Sequence, residues 1–486
     1  MSGVLVIDVG TSSVRAAVVD EDGSVRHVSR RATPTSVPFP GLVEFDPAVI
    51  ATAALDAAAE TQAAYGARPA AVGVTTQRAS TVAWDAATGA AIGPGLGWQD
   101  LRTVGKCLEL QASGLRFSPS ESATKFAWHV SEAAGAEVAG AGAALRLGTV
   151  DSWIVWNLTG GDRHITDATN AGVTGLFDAS TGGWRPQALA ALGLEAAWLP
   201  EVVDSSGELG RATALGGLPI AALVGDQQAS LVGQSCTRPG LAKATFGTGG
   251  MLDMCLGPEP PAGEVTTEHG CFPIVAWRVG GAVTWGSEAI MLAAGTAVDW
   301  LVEDLGVLAG AADSEAVAGE CDDTGGVVMV PALLGLGTPQ WDFGARGAVF
   351  GLTRGSGRPQ LVRAVLEGVA HSGADLLEAT EQDTGRRIDA LRVDGGMSAN
   401  SVFVQALADA CDRRIEVSPE LEATTLGAGY LAGLATGAWS GLDEIASAWR
   451  PQRVVEPSGR DPGRDRWREA TERAGRWYPD LSGISF

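Results

Sequence analysis

Two related α/β domains facing each other, with a junction near residues 235–240, is the fold class the sequence predicts. Three observations carry it. At 486 residues, with 45% hydrophobic and 19% charged residues, the chain exceeds one ordinary hydrophobic core. Three apolar runs end at an aspartate close to glycine: Val4–Ile7 at Asp8, Ile220–Val224 at Gly225-Asp226, and Leu391–Val393 at Asp394-Gly395. Two strand–turn–strand units carry Gly-Thr in the turn, at Gly10-Thr11 and at Gly247-Thr248.

In chain order, Val4–Ile7 and Val14–Asp20 read as strands around Gly10-Thr11-Ser12-Ser13, and Asp22-Gly23 turns the chain into Ser24–Val28. Asp46-Pro47 is an N-cap followed by proline in the first turn, so Ala48–Tyr65 reads as a helix closed by Gly66. Val72–Thr76 is a buried strand by composition, as is Ile220–Val224, with a helix starting at Gln227–Val232. Lys243–Phe246 and Met251–Leu256 flank the second Gly-Thr turn. Leu391–Val393 precedes a helix from about Ser401, with Phe403, Leu407 and Ala410 on one face. The domains are accordingly set at residues 1–236 and 237–486, with no low-complexity linker between them.

The formal charge of −23, from 57 acidic against 34 basic residues, repels polyanions and excludes a nucleic-acid or anionic-membrane partner. Only three basic residues are lysines, Lys106, Lys125 and Lys243. The six cysteines never fall at C-x-x-C spacing, which offers no zinc site or disulfide framework and fits a reducing cytoplasm. The N-terminal apolar run has no basic stretch before it and is broken by Asp8, unlike a secretory signal. The longest later apolar run, Val327–Leu336, is well short of the ~18 residues that span a bilayer.

A Gly-Thr-Ser turn exposes consecutive backbone N–H groups and hydroxyls, and glycine removes the Cβ that would hold an anion away. A neighbouring carboxylate such as Asp8 suits Mg²⁺. Two such turns from opposed domains would hold a triphosphate between them. No Gly-x-x-x-x-Gly-Lys-Ser/Thr is present. Gly427-Ala428-Gly429 imitates a dinucleotide fingerprint but lies inside a helical run after Glu422, where small residues serve close helix packing. Glu367 and His371, four apart on a helix, read as ordinary helix residues.

Several collinear segments carry a resemblance over nearly the whole chain. They include Asp8–Arg15, Gly41–Pro47, Gly73–Arg78, Val150–Trp153, Thr166–Ala171, Gly225–Ala229 and the long Gly335–Gly355. On these the sequence resembles the FGGY carbohydrate kinases, most closely the branch that phosphorylates glycerol. The resemblance implies two ribonuclease-H-like (actin-like ATPase) domains around a central cleft, with ATP and Mg²⁺ as cofactors and a homo-oligomer as the family expectation. It implies that Asp8, Thr11, Ser12, Ser13 and Arg15 line the first phosphate site, that Thr248 lies in the second, and that Gly295, Gly396 and Asn400 stand beside ribose and base. Asp226 matches the family's catalytic base and, with Asp8, its metal site. An aspartate ending a buried strand also fits capping of the next helix, and the two roles are compatible.

On the acceptor side Arg78, Trp98, Asp226 and Gln227 match. Three positions depart: Ala79 where the motif runs Gln-Arg-Glu, Ser120 where tyrosine is expected, and Met251 where phenylalanine is expected. Losing a buried carboxylate alters selectivity more than losing apolar bulk. Glycerol or a close relative is the expected acceptor. The alternative is a larger polyol or ketose such as erythritol, xylitol, xylulose or ribulose, with Glu121 or water supplying contacts. An actin-like ATPase stands behind these because it would not need Arg78, Trp98, Asp226 and Gln227, and an inactive sugar sensor because it would not need Asp226 and both phosphate turns. The turn Leu215–Pro219 is short and has no arginine, so inhibition by fructose 1,6-bisphosphate is not expected.

Overall fold

The computed structural model describes residues 3–133, 144–261, 266–420 and 422–483. Its largest sheet has thirteen strands. The first half supplies β1 (Val4–Val9), β2 (Ser13–Val19), β3 (Val25–Ala32), β4 (Val72–Thr76), β5 (Ser206–Ala212) and β6 (Leu218–Gly225). The second supplies β7 (Ala242–Phe246), β8 (Gly250–Gly257), β9 (Phe272–Val279), β10 (Ala282–Met291), β11 (Ala390–Asp394), β12 (Arg414–Val417) and β13 (Arg453–Val455). The helices that frame the site are α1 (Pro47–Tyr65), α2 (Asp226–Gly233), α3 (Arg358–Thr384), α4 (Ser401–Cys411) and α5 (Ala423–Thr436).

The same motif is used twice. β1 pairs antiparallel with β2 and parallel with β4, and β4 pairs parallel with β6, giving the order β3-β2-β1-β4-β6. β7 pairs antiparallel with β8 and parallel with β11, and β11 pairs parallel with β12, giving β10-β8-β7-β11-β12. This is the expected pair of ribonuclease-H-like halves. They join where Ser206 of β5 meets Val279 of β9. β1 is apolar up to Asp8 and again at Val9 because it is central, buried by neighbours on both edges and by helices on its faces.

Local chemistry sets the helix ends. The Asp46 carboxylate accepts from Ala48 N at 2.8 Å, Pro47 occupies the first turn, and Gly66 closes α1 at φ 70°, a left-handed conformation that glycine adopts without strain. α4 buries Phe403, Leu407 and Ala410 as its spacing predicts.

α2 and α5 cross at the junction of the halves with their backbones in contact. A Cβ on Gly427 would lie 1.8 Å from the Ala229 carbonyl oxygen, and one on Gly233 would lie 1.9 Å from that of Ala423. The glycines of the false fingerprint are therefore packing residues. Around them a core of Val4, Val6, Leu231, Val232, Leu426 and Leu431 draws on both halves. On α3, the half-buried Glu367 pairs with Arg363 at 2.8 Å and the buried His371 stacks on Trp467, both in helix-packing roles. All six cysteines are free, and among the described residues no helix is long and apolar enough to cross a membrane.

Candidate active site

The first glycine turn closes with Gly10 N donating to Ser13 O at 3.0 Å, leaving Ser12 exposed and Thr11 half-buried. Asp8 is the carboxylate behind this turn. Burial, together with repulsion from the Asp226 charge, raises its pKa against the pull of Arg15. Arg15 Nη1 lies 3.2 Å from Asp8 Oδ2 and also pairs with Glu422, just before α5, while Thr425 Oγ1 lies 3.4 Å from Asp8. The sequence-assigned phosphate residues thus cluster, and Arg15 already has two carboxylate partners.

From this turn a chain of polar contacts leads to the residues that the sequence assigns to the acceptor. Gln77 Nε2 donates to Gly10 O (3.2 Å) and Ser80 Oγ donates to Gln77 Oε1 (3.0 Å). Trp98 N donates to Ser80 Oγ (2.9 Å), and its indole Nε1 reaches Thr11 Oγ1 at 3.3 Å. Ala79 sits inside this turn, buried, at φ 62°. Ser120 is exposed, and its carbonyl accepts from the buried Lys125 Nζ at 3.4 Å. Lys125 also donates to Trp98 O at 3.1 Å, and burial takes its pKa down to about 7. The Glu121 carboxylate accepts from Ser118 N at 2.9 Å through Oε2 and lies beneath Gly175, so one of its oxygens is engaged on its own loop.

Asp226 opens α2. Its Oδ1 accepts from Gln227 N at 2.8 Å and lies 3.3 Å from Arg78 Nε, with 29% of the side chain exposed. Burial raises its pKa, and the Arg78 and Lys243 charges and the Gln227 hydrogen bond pull against it. The residue before it is fixed by a buried hydroxyl: Gly225 N donates to Thr169 Oγ1 at 2.8 Å, and Thr169 Oγ1 donates to Asp167 Oδ1 at 2.8 Å. A raised, partly exposed carboxylate held by arginine at a helix N-terminus is suited to take a proton from an alcohol.

Sequence reasoning missed what lies behind Arg78. Arg78 Nη2 donates to Glu288 at 2.7 Å, and the two side chains are only 10% and 5% exposed. Glu288 on β10 pairs in register with Asp253 on β8, which pairs with Lys243 on β7. Burial pushes the Glu288 pKa up to about 7. The available signal was a charge inside each of three apolar strands: Lys243, Asp253 and Glu288.

The second glycine turn is the hub of the other side. Gly295 N donates to Gly247 O at 2.8 Å, and Cβ atoms on Gly295 and Gly395 would collide with the carbonyls of Gly247 and Phe246. Thr248 and Gly396 are exposed around this hub, so the structure brings Thr248, Gly295 and Gly396 together. Asn400 serves first as the N-cap of α4, accepting from Phe403 N at 3.0 Å and donating to Ser314 Oγ at 3.1 Å. Met251, at the start of β8, is half-buried beside the turn. Among the described residues no group of three or more His, Cys, Asp or Glu forms a metal cluster.

Two glycine turns in equivalent positions, with a strand-end carboxylate between the halves, describe a phosphotransferase cleft. The sequence models for the N- and C-terminal domains of the FGGY family of carbohydrate kinases match residues 3–233 and 242–436. The chain belongs to the FGGY family of carbohydrate kinases. Among relatives of this kinase, the glycerol kinase of Aromatoleum aromaticum is 42% identical, over 98% of this chain and 99% of its own. That of Halorhodospira halophila is 40% identical over 99% and 98%. The crystal structure of Plasmodium falciparum glycerol kinase with ADP superposes on this kinase with TM-score 0.88 at 27% identity, covering 100% of this chain and 99% of that one. The ligand-bound xylulose kinase of Lactobacillus acidophilus, at 20% identity, shares the fold with TM-score 0.87 over 99% of this chain and 100% of its own. The carbohydrate kinase described here is accordingly an ATP-dependent enzyme acting on a small polyol or sugar.

Proposed function

We propose that this kinase transfers the terminal phosphoryl group of ATP to a hydroxyl of glycerol, with Asp226 as the base. The observation that carries the reading is the placement of the Asp226 carboxylate, half-shielded and 3.3 Å from Arg78, between the two glycine turns. The acceptor oxygen forms its bond to phosphorus as the bridging oxygen of ADP leaves, and the hydroxyl proton passes to Asp226. Such a base contributes roughly 10²–10⁴-fold. Arg78, Trp98 and Gln227 orient the alcohol. Thr11, Ser12, Ser13 and Arg15 receive the phosphates from one side and Thr248 from the other, with Gly295, Gly396 and Asn400 beside the nucleoside.

The oxygen-only donor set of Asp8 and Asp226, two carboxylates close enough to repel, fits Mg²⁺. These two residues would hold the ion, which when bound neutralises charge on the transferring phosphoryl group. The division into domains at 236/237, work in the reducing cytoplasm and a homo-oligomeric state belong to the same reading. The free cysteines support the second of these. The turn before β6, where Gly216 O accepts from Arg68, has no arginine of its own, and an inhibition curve with millimolar fructose 1,6-bisphosphate is expected to be flat.

A larger polyol or ketose is the second reading. It is favoured by Ala79, Ser120 and Met251, where one carboxylate and two aromatic rings of the expected pattern are missing while Asp226 remains. An ADP-release screen over glycerol, erythritol, xylitol, xylulose, ribulose and dihydroxyacetone decides between them. Glycerol should give the highest kcat/KM, and a hundredfold preference for a five-carbon acceptor would reverse the order.

A further inference from the structure

Lys243 is wholly buried, as is the side chain of Asp253 that faces it at 2.7 Å. Its ammonium also contacts Gln227 Oε1 at 2.7 Å and Thr245 Oγ1 at 3.0 Å. An ammonium donates three hydrogens and accepts none. The Gln227 amide therefore has to present its oxygen to Lys243, since the reversed amide would set N–H against N–H. Its Nε2 then points away from Lys243, and no described residue takes a hydrogen bond from it. An isolated glutamine amide reads either end of a hydroxyl, whereas this one is fixed as a donor.

Asp253 is what allows a cation there. It stands between Lys243 and Glu288 on adjacent strands, so the row Lys243–Asp253–Glu288–Arg78–Asp226 runs unbroken from β7 to the base. Both residues that lead to the acceptor from this row, Arg78 and Gln227, present hydrogens. Only Asp226 accepts.

We propose that Lys243, balanced by Asp253, is a positioning residue that locks the Gln227 amide with its NH₂ towards the acceptor substrate. The enzyme then reads the oxygen at that point by its lone pairs alone, so a carbonyl oxygen satisfies it as well as a hydroxyl. Acceptors with an oxo group beside the reacting alcohol, as in dihydroxyacetone and short ketoses, fall within its range. This rests on the reading of Gln227 as an acceptor contact.

Removing Lys243 alone would strand the Asp253 charge in the core, so the test uses the paired change Lys243→Met with Asp253→Leu, which removes both charges at once. The paired variant should raise KM for glycerol and for dihydroxyacetone roughly tenfold, the equivalent of one hydrogen bond, while KM for ATP stays within about twofold. Gln227→Ala should raise the same acceptor KM in the parent and add less than about twofold in the paired variant, because both changes break one contact. The positioning role is overturned if the paired variant keeps the parent acceptor KM while Gln227→Ala changes it, or if the two effects multiply. A Gln227→Ala enzyme with parent acceptor KM instead removes Gln227 from the acceptor and takes the underlying reading with it. Should the paired variant not fold, Gln227→Glu keeps the question open to refutation. Its carboxylate still accepts from Lys243 but offers no hydrogen to a carbonyl oxygen, which unlike a hydroxyl cannot donate in return, so an unchanged KM for dihydroxyacetone overturns the proposal.

Discussion

Replacing Asp226 with asparagine separates chemistry from architecture at this site. Asparagine has the same shape, and its Oδ1 can go on accepting from Gln227 N, so the start of α2 keeps its hydrogen bond. Arg78, 3.3 Å from the same oxygen, loses the carboxylate charge there but keeps Glu288 at 2.7 Å, so no buried cation is stranded. Asp226 already carries a burial penalty, visible as its raised pKa, and the neutral amide relieves it. The two effects oppose each other, and the net stability change should stay within about 1 kcal/mol. Loss of the proposed base is a different matter. A 10²–10⁴-fold fall in kcat is about 2.7–5.4 kcal/mol of lost transition-state stabilisation. The assay is acceptor-dependent ADP release at saturating ATP, run beside calorimetric ATP binding and a thermal melt. The parent should gain kcat/KM as pH rises through the Asp226 pKa, and the variant should lose that limb. A variant that folds, binds ATP and turns over within tenfold of the parent would refute the assignment.

Three further outcomes test the frame around Asp226. Gly427→Ala forces a methyl against the Ala229 carbonyl and should cost about 1–3 kcal/mol in a thermal melt, with a fall in kcat because α2 must shift; an unchanged Tm would disprove the close crossing. Thr169→Val leaves the buried Gly225 N–H without its acceptor and should cost about 1–3 kcal/mol by denaturant titration, lowering kcat more than KM. Lys125 has a folded pKa of about 7, below its ordinary 10.5, so the unfolded chain binds the extra proton between those values and stability rises with pH there. Lys125→Met should therefore flatten the stability slope between pH 7 and 9 by up to about 1.4 kcal/mol per pH unit, and equal slopes would contradict the buried amine.

The repeated strand–turn–strand units were legible because their signals are local: an apolar run, a terminal aspartate, a glycine turn. The α1 cap and the helical setting of Gly427 were legible for the same reason. The charged row was not. Asp253 acquires its meaning only when β7, β8 and β10 align in register, and Glu288 finds Arg78 from 210 positions away in the chain. Glu121 shows the converse: beside its candidacy for the acceptor, one of its oxygens accepts from a backbone N–H three residues earlier, a local bond the sequence does not announce. Asn400 likewise combines a position suited to the nucleoside with a capping bond that the sequence offers but does not rank against it.

On the proposed reading, frame and selectivity are carried by different atoms in this cleft. The contacts that tie the first phosphate turn to the acceptor side run through Gln77, Ser80, Trp98 and Thr11, and those that set the base run through Thr169, Gly225 and Arg78. In-line transfer depends on these distances, because a small misplacement of the alcohol forfeits much of the rate. Ala79, Ser120 and Met251 enter the frame through backbone atoms: Ala79 O accepts from Ser122 Oγ, Ser120 O accepts from Lys125 Nζ, and Met251 pairs along β8. Their side chains hold none of its contacts. Under the proposed function, the three positions that depart from the expected pattern are thus ones where a side chain can change without breaking these contacts, which lets the acceptor differ while the proposed phosphoryl-transfer geometry stays the same.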